Sequence, residues 1–155
     1  PSGQKSKIKT IEQFEKQLPV AHAKESVVIT LEDEIDSSRG NMLVKTASQP
    51  EQLKELVADV CWMDQQKLVS GKTYLLQHGV NRVKAKVQQI NYVTDVTTLT
   101  QQSGRTDMGL NDIGRITIKT ASPIFADKYA DNPANGAFIL IDEFNNTTVG
   151  VGFVI

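Results

Sequence analysis

Apolar and polar residues alternate along most of the chain, and the dominant period is two. Val27, Ile29 and Leu31 alternate with Val28 and Thr30, and Ile116 and Ile118 alternate with Arg115, Thr117 and Lys119. That period predicts half-buried β-strands. In Phe138-Ile139-Leu140-Ile141 both sets of positions are apolar, which predicts a central strand covered on both faces. Turn signals are dense: Pro1-Ser2-Gly3, Arg39-Gly40-Asn41, Ser70-Gly71, His78-Gly79, Ser103-Gly104, Asn132-Pro133, Asn135-Gly136 and Asn145-Asn146. Short strands between frequent turns predict an all-β barrel or sandwich.

One strand changes phase. In "NRVKAKVQQINY" the apolar residues Val83, Ala85 and Val87 are followed by Ile90 and Tyr92, so odd positions give way to even ones. One inserted residue does this, which predicts a β-bulge near Gln88–Gln89. The one competing helix is "QPEQLKELV", residues 49–57, with Pro50 suited to a first helical position. It is too short to stand alone as a helix. It reads as a linker with one helical turn, and the boundary between two β units falls near Thr46–Gln52.

Composition narrows the class without naming a function. A chain of 155 residues buries roughly 68–70% of its unfolded surface, so it needs no disulfide or metal to fold. Lys plus Arg, 17, nearly balances Asp plus Glu, 18, which gives no overall footprint for nucleic acid or an anionic membrane. The single cysteine, Cys61, forms no internal disulfide, in keeping with a reducing cytoplasm. No apolar run reaches membrane-spanning length. The chain starts at Pro1 without a methionine, which reads as a piece of a longer protein.

"LEDEIDSSRGNMLVK", 31–45, concentrates acids, but counting from Asp33 puts Ile35, Ser37 and Ser38 where an EF-hand needs oxygen ligands and its glycine. It reads as a strand "SVVITL", a polar loop with Ile35 turned inward and Gly40 at positive φ, then a strand "NMLVK". Gly71-Lys72-Thr73 looks like the end of a phosphate-binding loop, but Gln66 stands where the first glycine belongs and strand residues follow. A hairpin turn is the better reading. "GVGF", 150–153, reads as small residues on a packed strand. Arg82, Lys84 and Lys86 form a basic stripe, the solvated face of a half-buried strand, with only Tyr92 near enough to stack. His22 and His78 lack a neighbouring Asp or Cys, and Cys61 in "ADVCWMD" reads as a buried small hydrophobe. No catalytic, cofactor-binding or metal-binding residue is assigned.

Three stretches together carry a resemblance: 27–45, 58–79 and 109–155. The loop "DEIDSSRG" and the ending "NPANGAFILIDEFNNTTVGVGFVI" are its most specific parts. They resemble the C-terminal β region of sulfate adenylyltransferase subunit 1, a GTPase subunit laid out like elongation factor Tu, with a P-loop domain followed by two β-barrels. Ser38 departs from the apolar residue common there. The resemblance implies translation-factor-type barrels: residues 1–45 as the second half of a first barrel, and 46–155 as a complete, Greek-key-like second barrel. It also implies a cytoplasmic parent enzyme that transfers the adenylyl group of ATP to sulfate, with GTP hydrolysis helping to drive the reaction. GTP and its magnesium would belong to the upstream GTPase domain, and ATP to a separate small subunit. The partners implied are that small subunit and the GTPase domain, with no nucleic acid and no membrane. A half barrel would leave a bare strand edge and an apolar face around Val27, Ile29 and Leu31, which predicts self-association.

Two other classes compete. An RNA-binding barrel pair of a translation GTPase predicts a basic groove, against which the charge balance stands. A free-standing interaction module predicts no GTPase domain upstream.

Overall fold

The computed structural model describes residues 3–155, so the turn read at Pro1-Ser2-Gly3 lies partly outside the described residues. Among the described residues the chain is all-β apart from one four-residue helix, and it divides into two compact units between Gln49 and Pro50.

The first unit holds a three-stranded antiparallel sheet of β1 (Ile8–Gln13), β2 (Lys16–Gln17) and β3 (Val28–Leu31), in the order β2-β1-β3. Phe14 and Glu15 turn the first hairpin, both at positive φ (46° and 65°), the geometry that matches strand twist in a two-residue loop. Val27, Ile29 and Leu31 are half-buried, and Val28 on the opposite face is 62% exposed. The acidic stretch that follows is a loop, with Ile35 half-buried and Gly40 at φ 101°.

The expected strand at 41–45 does not form. Met42, Leu43 and Val44 are exposed and have no ladder partner among the described residues. A β-propensity run becomes a strand only when a neighbour accepts its backbone hydrogen bonds.

The second unit is a closed barrel. Its staves are β4 (Glu51–Trp62), β6 (Thr73–His78), β7 (Asn81–Thr94), β10 (Ile113–Ala126), β11 (Ala137–Ile141) and β12 (Thr148–Val154). They run β10-β4-β12-β11-β6-β7, and a β7–β10 ladder closes the ring. Closure leaves these staves without free edges. β11 lies between β12 and β6, the central place that its two apolar faces require. Short strands β5 (Leu68–Val69), β8 (Gln101–Ser103) and β9 (Asp107–Met108) supplement the ring; β5 pairs with β9, and β8 extends β7.

Residues 51–62 are a strand, not a linker with a helical turn. Good helix formers occupy 51–56, but Leu56, Ala58, Val60 and Trp62 alternate inward and are buried. Ladders to β10 and β12 reward that alternation, and tertiary pairing outweighs helix propensity. The same phase turns Cys61 outward, where it is half-exposed, so it is no core residue.

β7 bulges where expected. Ile118 pairs with Val87 and Thr117 with Gln89, leaving Gln88 as the extra residue. A second bulge at Asn91 restores the odd phase, so Val93, not Tyr92, points into the core. Glycines give room to the largest core groups. A Cβ on Gly152 would strike the Phe138 ring, and one on Gly150 would lie 3.2 Å from the Trp62 indole. Trp62 in turn meets Tyr74 edge-on at 5.4 Å.

Candidate interaction surface of the barrel

The residues singled out in sequence settle into structural roles. Gly71 (φ 88°) turns the chain into β6; its N–H donates to Val87 O (2.7 Å), and Val87 N–H donates to Lys72 O (3.0 Å). The backbone at Gly71-Lys72 is therefore spent on a strand connection, and Lys72 Nζ lies 5.0 Å from the Tyr74 ring centroid. The turn holds, but it closes no hairpin: β5 before it pairs with β9, and β6 after it pairs with β7 and β11. Gly150 and Gly152 sit on β12 as packed small residues. His78 is buried, its Nε2 2.9 Å from Asn135 O, and anchors the single turn α1 (Pro133–Gly136). His22 is exposed in the first unit. Among the described residues, no group of three or more His, Cys, Asp or Glu is placed to hold a metal ion.

Two ionic clusters brace the barrel. Arg115 forks onto Asp59 across the β10–β4 ladder, Nε to Oδ1 at 2.8 Å and Nη2 to Oδ2 at 2.9 Å. Its guanidinium also lies 5.3 Å from the Tyr92 ring centroid. The Asp59 hydrogen bonds hold the Arg115 pKa above its ordinary value. Near β9, Arg105 bridges Asp107 (3.2 Å) and Asp112 (3.0 Å), and Lys67 also reaches Asp107 (3.2 Å). The Lys67 and Arg105 hydrogen bonds hold the Asp107 carboxyl below its usual range.

The buried groups near the barrel mouth are also polarised. Asp142 Oδ1 accepts N–H bonds from Asn145 and Phe144, both at 3.0 Å, and these hold its carboxyl below the ordinary Asp value. Burial, together with the charges of Asp142 and Asp64, pushes the Tyr74 hydroxyl pKa upward.

The outer face of the barrel carries one site that the sequence did not show. Lys54, Thr73, Lys84, Lys86, Lys119 and the backbone around Thr120–Ala121 line a shallow depression of about 350 Å³. Strand register assembles it: Thr73 stands opposite Lys86, and Lys86 stands opposite Lys119. Beside it, β10 slips against β4 between Lys119 and Ile124, and the exposed run Ala121-Ser122-Pro123 bulges outward. Proline is tolerated there because a bulge needs no ladder donor. Thr120 Oγ1 donates to Lys54 O at 3.1 Å, which fixes the backbone that carries Lys54. Lys84 pairs with Glu143 at 2.7 Å; Lys54, Lys86 and Lys119 form no ion pair among the described residues. The sequence revealed only the Lys84–Lys86 part of the stripe, because Lys54 and Lys119 join it through pairing of distant strands.

A family model described as GTP-eEF1A C-terminal domain-like matches residues 55–155. The chain is 39% identical over 155 residues to a bifunctional enzyme CysN/CysC of Rhodopirellula baltica, covering all of this chain and 24% of that protein. It is 39% identical over 154 residues to a sulfate adenylyltransferase subunit 1 of Psychromonas ingrahamii, covering 99% of this chain and 33% of that one. The chain thus spans a quarter to a third of the length of these curated relatives. Among solved structures, Sup35 complexed with GMPPNP superposes with a TM-score of 0.82 at 17% identity, covering 100% of this chain and 38% of that one. At that identity the likeness concerns the fold.

Proposed function

The chain belongs to the GTP-eEF1A C-terminal domain-like family, and from that premise we propose that it is the C-terminal β-barrel region of the GTP-hydrolysing subunit of a sulfate adenylyltransferase. The parent enzyme would form adenosine 5′-phosphosulfate and pyrophosphate from ATP and sulfate in the cytoplasm. The observation that carries this reading is 39% identity to a sulfate adenylyltransferase subunit 1, sustained over 99% of the chain rather than confined to the family-model region.

The phosphate-loop-like stretch at Gly71-Lys72 does not fit GTP, because its backbone is engaged in strand hydrogen bonds. In this proposal the nucleotide and its metal belong to an upstream GTPase domain, ATP to a small adenylyl-transferring subunit, and no catalytic step to this chain. Residues 1–45 form part of a first barrel and 46–155 a whole second one. The chain acts as a scaffold and docking element. A closed, densely bonded barrel moves as one body, so it can relay a change in the GTPase domain to a partner by rigid-body displacement.

The coding DNA tests the proposal. A P-loop GTPase domain in frame before Pro1, beside a gene for the small subunit, is the expected result. A start codon just before Pro1, or a neighbourhood of translation genes, overturns it.

A further inference from the structure

The depression concentrates positive charge: four lysines line it and no acidic residue does. Arg115 is held by Asp59 and Lys84 by Glu143, and the whole chain has a net charge of −1. Lys54, Lys86 and Lys119 form no ion pair among the described residues. Lys86 and Lys119 also face each other in register, an arrangement of like charges that costs stability; Glu55 is the partner of Lys119 on the other side, on β4, without an ion pair to it among the described residues. A stability cost on an otherwise balanced surface is expected where a counter-charge from outside completes the site.

The chemistry of the depression selects the occupant. Lys86 and Lys119 lie within paired strands, so their own backbone N–H groups are engaged in ladders and form no nest for a phosphate. No arginine lines it to fork onto a planar oxyanion, and no aromatic side chain lines it to stack a base. What it offers is ammonium groups on flexible stems rooted about 7 Å apart along β7 (Lys84 and Lys86) and about 5 Å apart across to β10 (Lys86 and Lys119). An extended polypeptide repeats its same-side groups at about 7 Å. Glu143 on Lys84, at 2.7 Å, already seats one carboxylate at the edge of this row.

We propose that the depression docks an extended acidic segment of a protein partner, whose carboxylates engage Lys86, Lys119 and Lys54 across β7, β10 and β4. This rests on the docking role proposed above and names the surface and the chemistry it recognises. Charge of this kind speeds encounter and sets register.

The test uses the full chain, with a fluorescent peptide of alternating glutamate and threonine, inorganic tripolyphosphate and an oligouridylate as probes. The peptide is expected to bind saturably at low salt and to weaken as salt rises. The double variant K86E/K119E is expected to weaken it by about tenfold or more. K86E/K119E sets two glutamates opposite each other in place of two lysines, so the neutral K86Q/K119Q is measured beside it: it removes the repulsion, its thermal midpoint should not fall, and its peptide binding should weaken too, which separates lost binding from lost fold. Absent peptide binding, or binding indifferent to K86E/K119E, overturns the inference. Oligouridylate or tripolyphosphate binding more tightly than the peptide, and lost in the variant, also overturns it in favour of a phosphate-bearing ligand. Peptide binding together with a parent enzyme that fails to assemble would overturn the sulfate reading and leave this surface standing.

Discussion

Lys86 on β7 and Lys119 on β10 are direct cross-strand partners, two like charges on one outer face of a barrel on which Lys84 and Arg115 are ion-paired. Replacing one of them relieves repulsion. Lys86→Gln is the cleaner choice, because the other partner of Lys86 in register is the neutral Thr73 whereas that of Lys119 is Glu55. It is expected to leave the fold intact and raise stability by about 0.5 kcal/mol at low salt, with the gain shrinking as salt screens the pair. Urea unfolding at two ionic strengths checks it. A destabilised variant would mean that Lys86 has a structural role beyond its charge.

Gly152 is required by its neighbour. A methyl group there would overlap the Phe138 ring on the paired strand β11. Gly152→Ala should destabilise the barrel by about 1–3 kcal/mol, the usual range for overpacking. Gly152→Ala combined with Phe138→Leu should recover part of that loss. Thermal unfolding of the single and double variants measures both.

Asp142 links stability to acid pH. Its carboxyl is held below the ordinary value of 3.8, chiefly by the Asn145 N–H and also by that of Phe144. A carboxyl depressed in the folded state contributes stability that is present above the unfolded value and is lost as pH falls through the folded one. Asp142→Asn should therefore be less stable than the parent near neutrality, and the gap should close below the ordinary Asp value. Denaturant midpoints between about pH 7 and about pH 2 follow the effect.

Tyr74 has a buried hydroxyl with no hydrogen-bond partner among the described residues. An unsatisfied buried hydroxyl costs about 1–3 kcal/mol of desolvation. Tyr74→Phe keeps the ring against Trp62 and should match or exceed the parent in stability. A loss larger than about 1 kcal/mol would reveal a partner for the hydroxyl.

What the sequence disclosed follows a physical division. Inward alternation is a local signal, so the bulge at Gln88 and the central place of β11 could be read from Val83, Ala85, Val87 and Ile90 and from Phe138–Ile141. Cys61 was misread because its apolar neighbours hid the phase that Trp62, Val60 and Ala58 set. The strand at 51–62 was missed because its first residues favour helix, while its partners β10 and β12 lie far along the chain. The lysine depression was only half visible for the same reason. Lys119 is apparent as an outward residue in "ITIKT", but its meeting with Lys86 depends on the β7–β10 register and its bulges. The family motifs supplied what local patterns could not, since they carry the pairing of distant strands with them.

The most direct test of the central claim is an exchange. The C-terminal barrels of a known sulfate adenylyltransferase subunit 1 are replaced by this chain, the chimaera is produced with the small subunit, and adenosine 5′-phosphosulfate formation is measured with and without GTP. The account predicts a stable two-subunit complex in which GTP stimulates product formation. A chimaera that folds and hydrolyses GTP, yet neither retains the small subunit nor shows GTP-stimulated product, would contradict it.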